Sequence, residues 1–295
     1  MKRRFYLERR TPFDYINYVI LALITFACIV PVLHTLMASF SSPAELAQHE
    51  GLIWRPLGFT LEGYKLVVKN RAIASGYLNT IFYVVVATTL NILLTSIGAY
   101  VCSRKKALFS KPITFMITFT MFFSGGLIPF YLTVNNLGLT GTRWSQIFPV
   151  AISAWNLIIM RTSIADLPDS VEESAEIDGA NDIVILFRIV MPLIKPVLAV
   201  MVLFYAVGHW NSWFNAMVFL RDRDMYPLQL ILREILLQND TTQIMQLADT
   251  NNEGDIYKML VKYCTTVVAT VPILCIYPFL QKYFVKGVMI GSIKG

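Results

Sequence analysis

Charged positions are missing from six long runs of the chain: residues 15–44, 72–103, 112–142, 144–160, 196–220 and 263–281 contain no Asp, Glu, Lys or Arg. The shortest of these runs holds 17 residues and the longest 32. A bilayer core about 30 Å thick is crossed by a helix of roughly 17–25 apolar residues. The pattern therefore predicts six membrane helices, at about 15–39, 75–101, 112–134, 145–164, 197–220 and 260–283. Segments 40–74, 135–144 and 221–259 then lie on one side, and 1–14, 102–111, 165–196 and 284–295 on the other. The fold class is all-α, a polytopic membrane helix bundle.

Composition agrees with the pattern. Of the 295 residues, 56% are hydrophobic and 15% charged, against about 45–50% and 25% in soluble chains. A large soluble catalytic domain is excluded. Charge adds orientation: Lys2, Arg3, Arg4, Arg9 and Arg10 precede the first run, and Arg104, Lys105, Lys106 and Lys111 follow the second. Basic residues in short flanking segments stay cytoplasmic, which puts the N-terminus inside. Six spans return the C-terminus inside, where Lys282, Lys286 and Lys294 agree. The net charge of +6 is thus topology information, and no basic soluble face points to nucleic acid. The first run is too long for the apolar core of a signal peptide and lacks a small-residue cleavage site. Cys28, Cys102, Cys264 and Cys275 sit within or at the rim of the runs, without metal-ligand spacing, and read as packing residues.

Two features disturb the simple pattern. Ser124-Gly125-Gly126 and Pro129 interrupt the third run. The span could be broken, which needs protein or water around it, but the favoured reading is that the glycines serve ordinary helix packing. Segment 165–196 carries Asp166, Asp169, Glu172, Glu173, Glu176, Asp178 and Asp182 against Arg188 and Lys195, a crowd of acids on the cytoplasmic side. Its local grammar is two short helices. Ser170 with Glu173 makes a capping box for a helix ending at Gly179, and Asn181 or Asp182 caps a second helix. Ile183, Leu186, Phe187 and Val190 recur on one face of that helix, and Pro192 and Pro196 stop it. The arrangement suits docking to a partner, or an interfacial helix that only closes a loop.

Glu173-Ser174-Ala175, three residues, Gly179, nine residues, then Ile189-Val190-Met191-Pro192 resembles the EAA signature of ABC-importer permeases. The extended form, with Asp178, Ala180 and Phe187, resembles the carbohydrate-uptake branch, the maltose-type permeases, and in particular the shorter of two paired permeases. Gly126-Leu127-Ile128-Pro129, Trp210-Asn211-x-Trp213, Tyr226-Pro227-Leu228-Gln229 and the Lys-Gly ending are similar to the same branch. Ser174 and Met191 depart from the signature conservatively. The resemblance divides the chain into 1–74, a tail, first span and loop, and 75–295, the importer transmembrane domain with its EAA loop at 165–196.

The resemblance implies a machine. The EAA loop would be a coupling helix seated in a cytoplasmic ATPase, with Glu173, Ser174, Ala175, Asp178, Gly179, Ala180, Phe187 and Pro192 at the contact. Lys294 and Gly295 would make a second ATPase contact, or form a frayed terminus. Two ATPase subunits, a second homologous permease and an extracytoplasmic solute-binding protein would complete the assembly in a bacterial cytoplasmic membrane. The cargo would be a carbohydrate, an oligosaccharide, with a non-sugar solute as the alternative. The chain has no G-x-x-x-x-G-K-[ST] loop, so the chain is expected to hold no cofactor; ATP and Mg would belong to the partner ATPases.

Along the fifth span, Trp210, Trp213 and Phe214 follow i, i+3, i+4 spacing, with Asn211 and Asn215 beside them. Aromatic faces next to amides suit sugar rings; they equally suit a membrane interface. His209 reads as a helix-bonding group. A membrane enzyme would need a constellation such as H-E-x-x-H or G-x-S-x-G, and neither is present. A secondary transporter or channel would need ionisable residues within the spans.

Overall fold

With no water in hydrocarbon, backbone groups must bond one another, and apolar runs become helices. The computed structural model describes residues 11–104, 107–237 and 254–292, and no strand occurs among them. The helices are α1 (Pro12–Ser39), α2 (Pro43–Gln48), α3 (Glu62–Lys69), α4 (Arg71–Ser103), α5 (Ser110–Phe122) and α6 (Leu127–Asn136). They continue with α7 (Ala154–Ala165), α8 (Asp169–Ile177), α9 (Asp182–Leu193), α10 (Lys195–Trp210), α11 (Phe214–Phe219), α12 (Leu228–Leu237) and α13 (Gly254–Ser292).

Among the described residues three helical stretches are continuous, long and apolar enough to cross a membrane: Pro12–Ser39, Arg71–Ser103 and Tyr257–Cys275. Two bent pairs bring the number to five at most, Arg143–Val150 with Ala154–Ala165 at 46° and Asp182–Leu193 with Lys195–Trp210 at 89°. The expected third span is not one helix. It is α5 and α6, of 13 and 10 residues, each shorter than the roughly 20 residues a crossing needs. The chain turns between them at Gly126, whose φ of +84° is open to glycine and strained for other residues. The run is broken at Ser124-Gly125-Gly126, which corrects the favoured reading of these glycines as ordinary helix packing. The expected fifth span also stops early, at Trp210.

The described residues form two compact units, 11–70 with 254–268, and 71–237 with 269–292. In the first, side chains hold the loop after α1. Ile53 donates its N–H to His34 Nδ1 at 3.0 Å, and His34 Nε2 meets the Tyr263 hydroxyl at 3.3 Å. Ser41 Oγ accepts from the Leu57 N–H at 3.0 Å, and Ser39 Oγ bonds the Tyr64 hydroxyl at 2.7 Å.

In the second unit α4 is the central helix, packed along α7 and α10 and, at its Arg71 end, against α12. Its buried face is polar at Asn79, Thr80, Asn91 and Thr95. Those groups repair broken backbone elsewhere. Asn91 Nδ2 donates to the carbonyls of Val150 and Ala151, each at 2.8 Å, and His209 Nε2 donates to Asn91 Oδ1 at 2.6 Å. The Ser153 N–H donates to the Tyr205 hydroxyl at 3.0 Å, which bonds Thr95 Oγ1 at 2.7 Å. The 46° bend before α7 thus keeps its backbone groups satisfied away from water. Toward the other end, Asn79 Nδ2 bonds the carbonyls of Asp224 and Tyr226, and the Tyr83 hydroxyl that of Met225. His209 is a helix-bonding group, as its sequence setting suggested.

Candidate functional site

The EAA segment folds as two short helices joined by a tight turn. α8 begins at Asp169 after Pro168, two residues earlier than the expected capping box requires. Ser170 therefore lies inside the helix, where its carbonyl accepts from Ser174 Oγ at 2.7 Å, and the Ser170–Glu173 box is not formed. At the other end the Gly179 N–H donates to the Glu176 carbonyl at 3.1 Å and the Ala180 N–H to Ala175 at 2.9 Å. Gly179 has φ +81°, the left-handed residue on which such helix endings rely. Asn181, not Asp182, caps α9: its side chain accepts the Val184 N–H at 2.9 Å.

α9 departs from a regular α-helix. Ile185–Val190 forms wide π turns immediately before Pro192, a residue that cannot donate to the carbonyl four positions back and crowds it. The widening moves the buried face. Ile185, Leu186 and Val190 are buried, whereas Ile183 and Phe187 are exposed by 69% and 40%. The expected stripe of Ile183, Leu186, Phe187 and Val190 is thereby corrected. Between α9 and α10 the chain turns by 89° around Ile194, with Pro192 and Pro196 on either side.

One apolar cluster joins this segment to the bundle: Tyr100 and Cys102 of α4, Met160 and Ile164 of α7, Ala175 of α8, Ile185 and Val190 of α9, and Met201 of α10. Ala175 faces inward. Its small side chain packs within this chain. Glu173, Ser174, Ile177, Asp178 and Gly179 are exposed, as are Phe187 and Pro192, and Ala180 is half-buried. A Cβ added at Gly179 would meet nothing within 4 Å; glycine is needed there for the backbone angle, and no neighbouring atom demands it.

The acids of the loop have two destinations. Glu172 and Glu176, one turn apart, face Arg104 at the end of α4, and Asp182 approaches it from α9. Arg104 Nη1 contacts Glu172 and lies 3.6 Å from Glu176; Nη2 bonds the Tyr100 hydroxyl and lies 3.3 Å from Asp182. The guanidinium also sits over the Tyr100 ring, 4.6 Å from its centre. Burial works against the charge on Arg104, but Glu172, Tyr100 and Asp182 outweigh it and hold its pKa above the ordinary value. Glu173 and Asp178 are exposed. Arg104 was legible in the sequence only as a topology signal; its three carboxylate partners lie 68–78 positions away.

These are the features of a helical membrane subunit with an exposed, acid-rich pair of short helices. The profile of the family described as "Binding-protein-dependent transport system inner membrane component" matches residues 78–290. The chain belongs to that family. It is 38% identical over 283 residues to the polygalacturonan/rhamnogalacturonan transport system permease protein YtcP of Bacillus subtilis (strain 168), covering 96% of this chain and 98% of that one. It is 40% identical to Protein LplC of the same organism over 287 residues, 96% of this chain and 95% of that one. Among solved structures it is similar to a bacterial ABC transporter involved in the import of the acidic polysaccharide alginate. There the identity is 32% and the TM-score 0.84, over 92% of this chain and 96% of that chain. The protein is thus an ABC-importer permease, a transport subunit of the bacterial inner membrane and not an enzyme, and binding-protein-dependent transport involves a solute-binding protein.

The aromatic residues of the fifth run are dispersed. The helix ends at Trp210, and Asn211–Trp213 is not helical before α11 begins at Phe214. The expected i, i+3, i+4 face of Trp210, Trp213 and Phe214 therefore does not form, nor does the Asn211–Asn215 stripe. Trp210 is buried with its ring edge-on to Tyr77, 6.1 Å between centres. Asn211 is exposed and turns its Nδ2 back to the Val207 carbonyl at 3.0 Å. Trp213 and Phe214 remain neighbours, edge-on at 5.6 Å, with Phe214 exposed and Asn215 half-buried. The Arg233 guanidinium lies 4.4 Å above the Trp213 ring; sequence spacing had not joined it to this cluster. Lys294 and Gly295 lie outside the described residues.

Proposed function

We propose that the protein is one of two homologous permease subunits that together enclose the path of an oligosaccharide, driven by two ATPase subunits that bind ATP and Mg. Both termini lie in the cytoplasm, and a solute-binding protein delivers the sugar from the other side. The observation that carries the reading is the exposed surface of α8 and α9. Ile177 and Ile183 are 86% and 69% exposed, and Glu173, Ser174, Asp178, Gly179 and Phe187 stand with them. Apolar side chains on an acidic, water-facing loop are costly unless a partner covers them; here the ATPase is that cover. Ala175 lies inside, and Pro192 shapes the turn behind the dock. Lys294 and Gly295 are proposed to add a contact from the C-terminus.

The sugar is proposed to carry uronate groups. The named substrates of a 38%-identical relative and of a 32%-identical solved structure, polygalacturonan/rhamnogalacturonan and alginate, support this. Trp213, Phe214 and Asn215 are proposed on the path: a pyranose stacks on aromatic faces, and the Arg233 guanidinium pairs bidentately with a carboxylate. Trp210 and Asn211, buried against Tyr77 and turned back to Val207, form the support behind them. The test is to purify the chain with its co-expressed neighbours, reconstitute them in vesicles, and measure ATP-dependent uptake of trigalacturonate and of a neutral trisaccharide. Co-purification of an ATPase and a second permease with preferential trigalacturonate uptake is expected. Arg233→Gln should then cut trigalacturonate uptake on the order of tenfold, the worth of one charge-assisted bond. Faster uptake of the neutral sugar would overturn the uronate reading, and solute flux through the lone chain without ATP would overturn the importer reading.

A further inference from the structure

Helix α8 holds to its own protein by very little. Of its nine residues only Ala175 is buried. α9, by contrast, is anchored by Ile185, Leu186 and Val190. A single buried methyl group does not fix the direction of a helix, so the orientation of α8 depends on something else. The structure supplies Arg104. Its guanidinium, 19% exposed, meets Glu172, 16% exposed, and reaches Glu176 on the next turn of α8. The second nitrogen approaches Asp182 on α9, and the Tyr100 ring lies beneath. Arg104 itself follows the last residue of α4, the helix against which α7 and α10 both pack. The Cys102 carbonyl at that helix end is held in turn by Arg161 Nε at 2.9 Å and Ser110 Oγ at 3.0 Å.

We propose that Arg104 is a positioning residue for energy coupling: it clamps α8 to the end of α4, so that a push on the exposed face of α8 moves the central helix and is not lost in rotation of α8 alone. The inference rests on the reading that this face docks the ATPase. Planar, forked geometry is part of the proposal. Arginine presents two nitrogens to carboxylates on two turns, whereas lysine offers one point charge. The clamp is distinct from the dock in its partners: Arg104 meets Glu172, Glu176 and Asp182, whereas Glu173 and Asp178 are exposed.

The test uses the reconstituted transporter and whichever oligosaccharide the wild-type complex imports fastest. Arg104→Gln, Arg104→Lys, Glu172→Gln and the exchange Arg104→Glu with Glu172→Arg are compared for ATPase co-purification, ATP hydrolysis and sugar imported per ATP. Arg104→Gln is expected to keep its ATPase and its hydrolysis within twofold while sugar imported per ATP falls tenfold or more. Arg104→Lys should fall in between, and the exchanged pair should recover to within threefold of wild type. Unchanged import per ATP in Arg104→Gln would overturn the proposal. So would joint loss of membrane level, ATPase binding and transport that the exchange does not restore, because that marks a folding residue. A wild-type complex that brings down no ATPase is a different result, and it would defeat the docking reading itself.

Discussion

An importer carrying Gly179→Asp is expected to lose uptake by well over tenfold while the subunit stays in the membrane at its normal level. The two halves of this expectation have separate causes. Gly179 adopts φ +81°, a region that costs an ordinary L-residue about 1–2 kcal/mol, with aspartate among the residues that enter it most readily. No atom lies within 4 Å of the added Cβ, so the fold itself has room for the side chain. The new carboxylate instead projects from a surface that already presents Asp178 and Glu173. Pressed against a partner, an unpaired charge costs several kcal/mol, and each 1.4 kcal/mol is a tenfold loss of affinity. Immunoblotting of membranes together with sugar uptake checks both halves. Normal uptake at normal level would remove Gly179 from the contact; loss of the protein would locate the defect in folding.

Asn91→Leu should act in the opposite way, through the level of folded protein. Asn91 makes three hydrogen bonds from one fully buried amide, two to the carbonyls at the 46° bend and one to His209. Leucine matches the volume and none of the bonds. Each orphaned buried group costs about 1–3 kcal/mol, and in a membrane no water replaces the lost partner. The variant is expected to be largely absent from the membrane at growth temperature and to melt well below wild type in detergent. Asn91→Asp keeps the acceptor for His209 and loses both donors, so it should also be destabilised. A leucine variant that melts with wild type would show that the bend stands without Asn91.

The sequence carried the class of protein because that depends on local rules. Long charge-free runs mark apolar helices, and the EAA spacing sits between two proline-guarded ends. What it concealed has a common origin in the backbone. A 46° bend, the interruption at Gly126 and the π turns of Ile185–Val190 each break the 3.6-residue period on which face assignments rest. Phe187 therefore emerges at the surface, and a separate helix end at Trp210 parts that residue from Trp213. The seven acids of segment 165–196 looked uniform in sequence. Arg104, 68 positions from Glu172, divides them into a clamp and a dock, a distinction no local pattern carries. The burial of Ala175 was hidden for the same reason, since it depends on what α4, α7 and α9 place opposite it.

The exposed face of α8 and α9 is proposed to be covered by an ATPase, and a photoreactive phenylalanine analogue placed at Phe187, which is 40% exposed, reads that cover in irradiated intact cells. One dominant adduct is expected, between this subunit and a protein bearing a G-x-x-x-x-G-K-[ST] phosphate loop, altered in yield when ATP is depleted. Adducts confined to lipid, or to this chain alone, would contradict it.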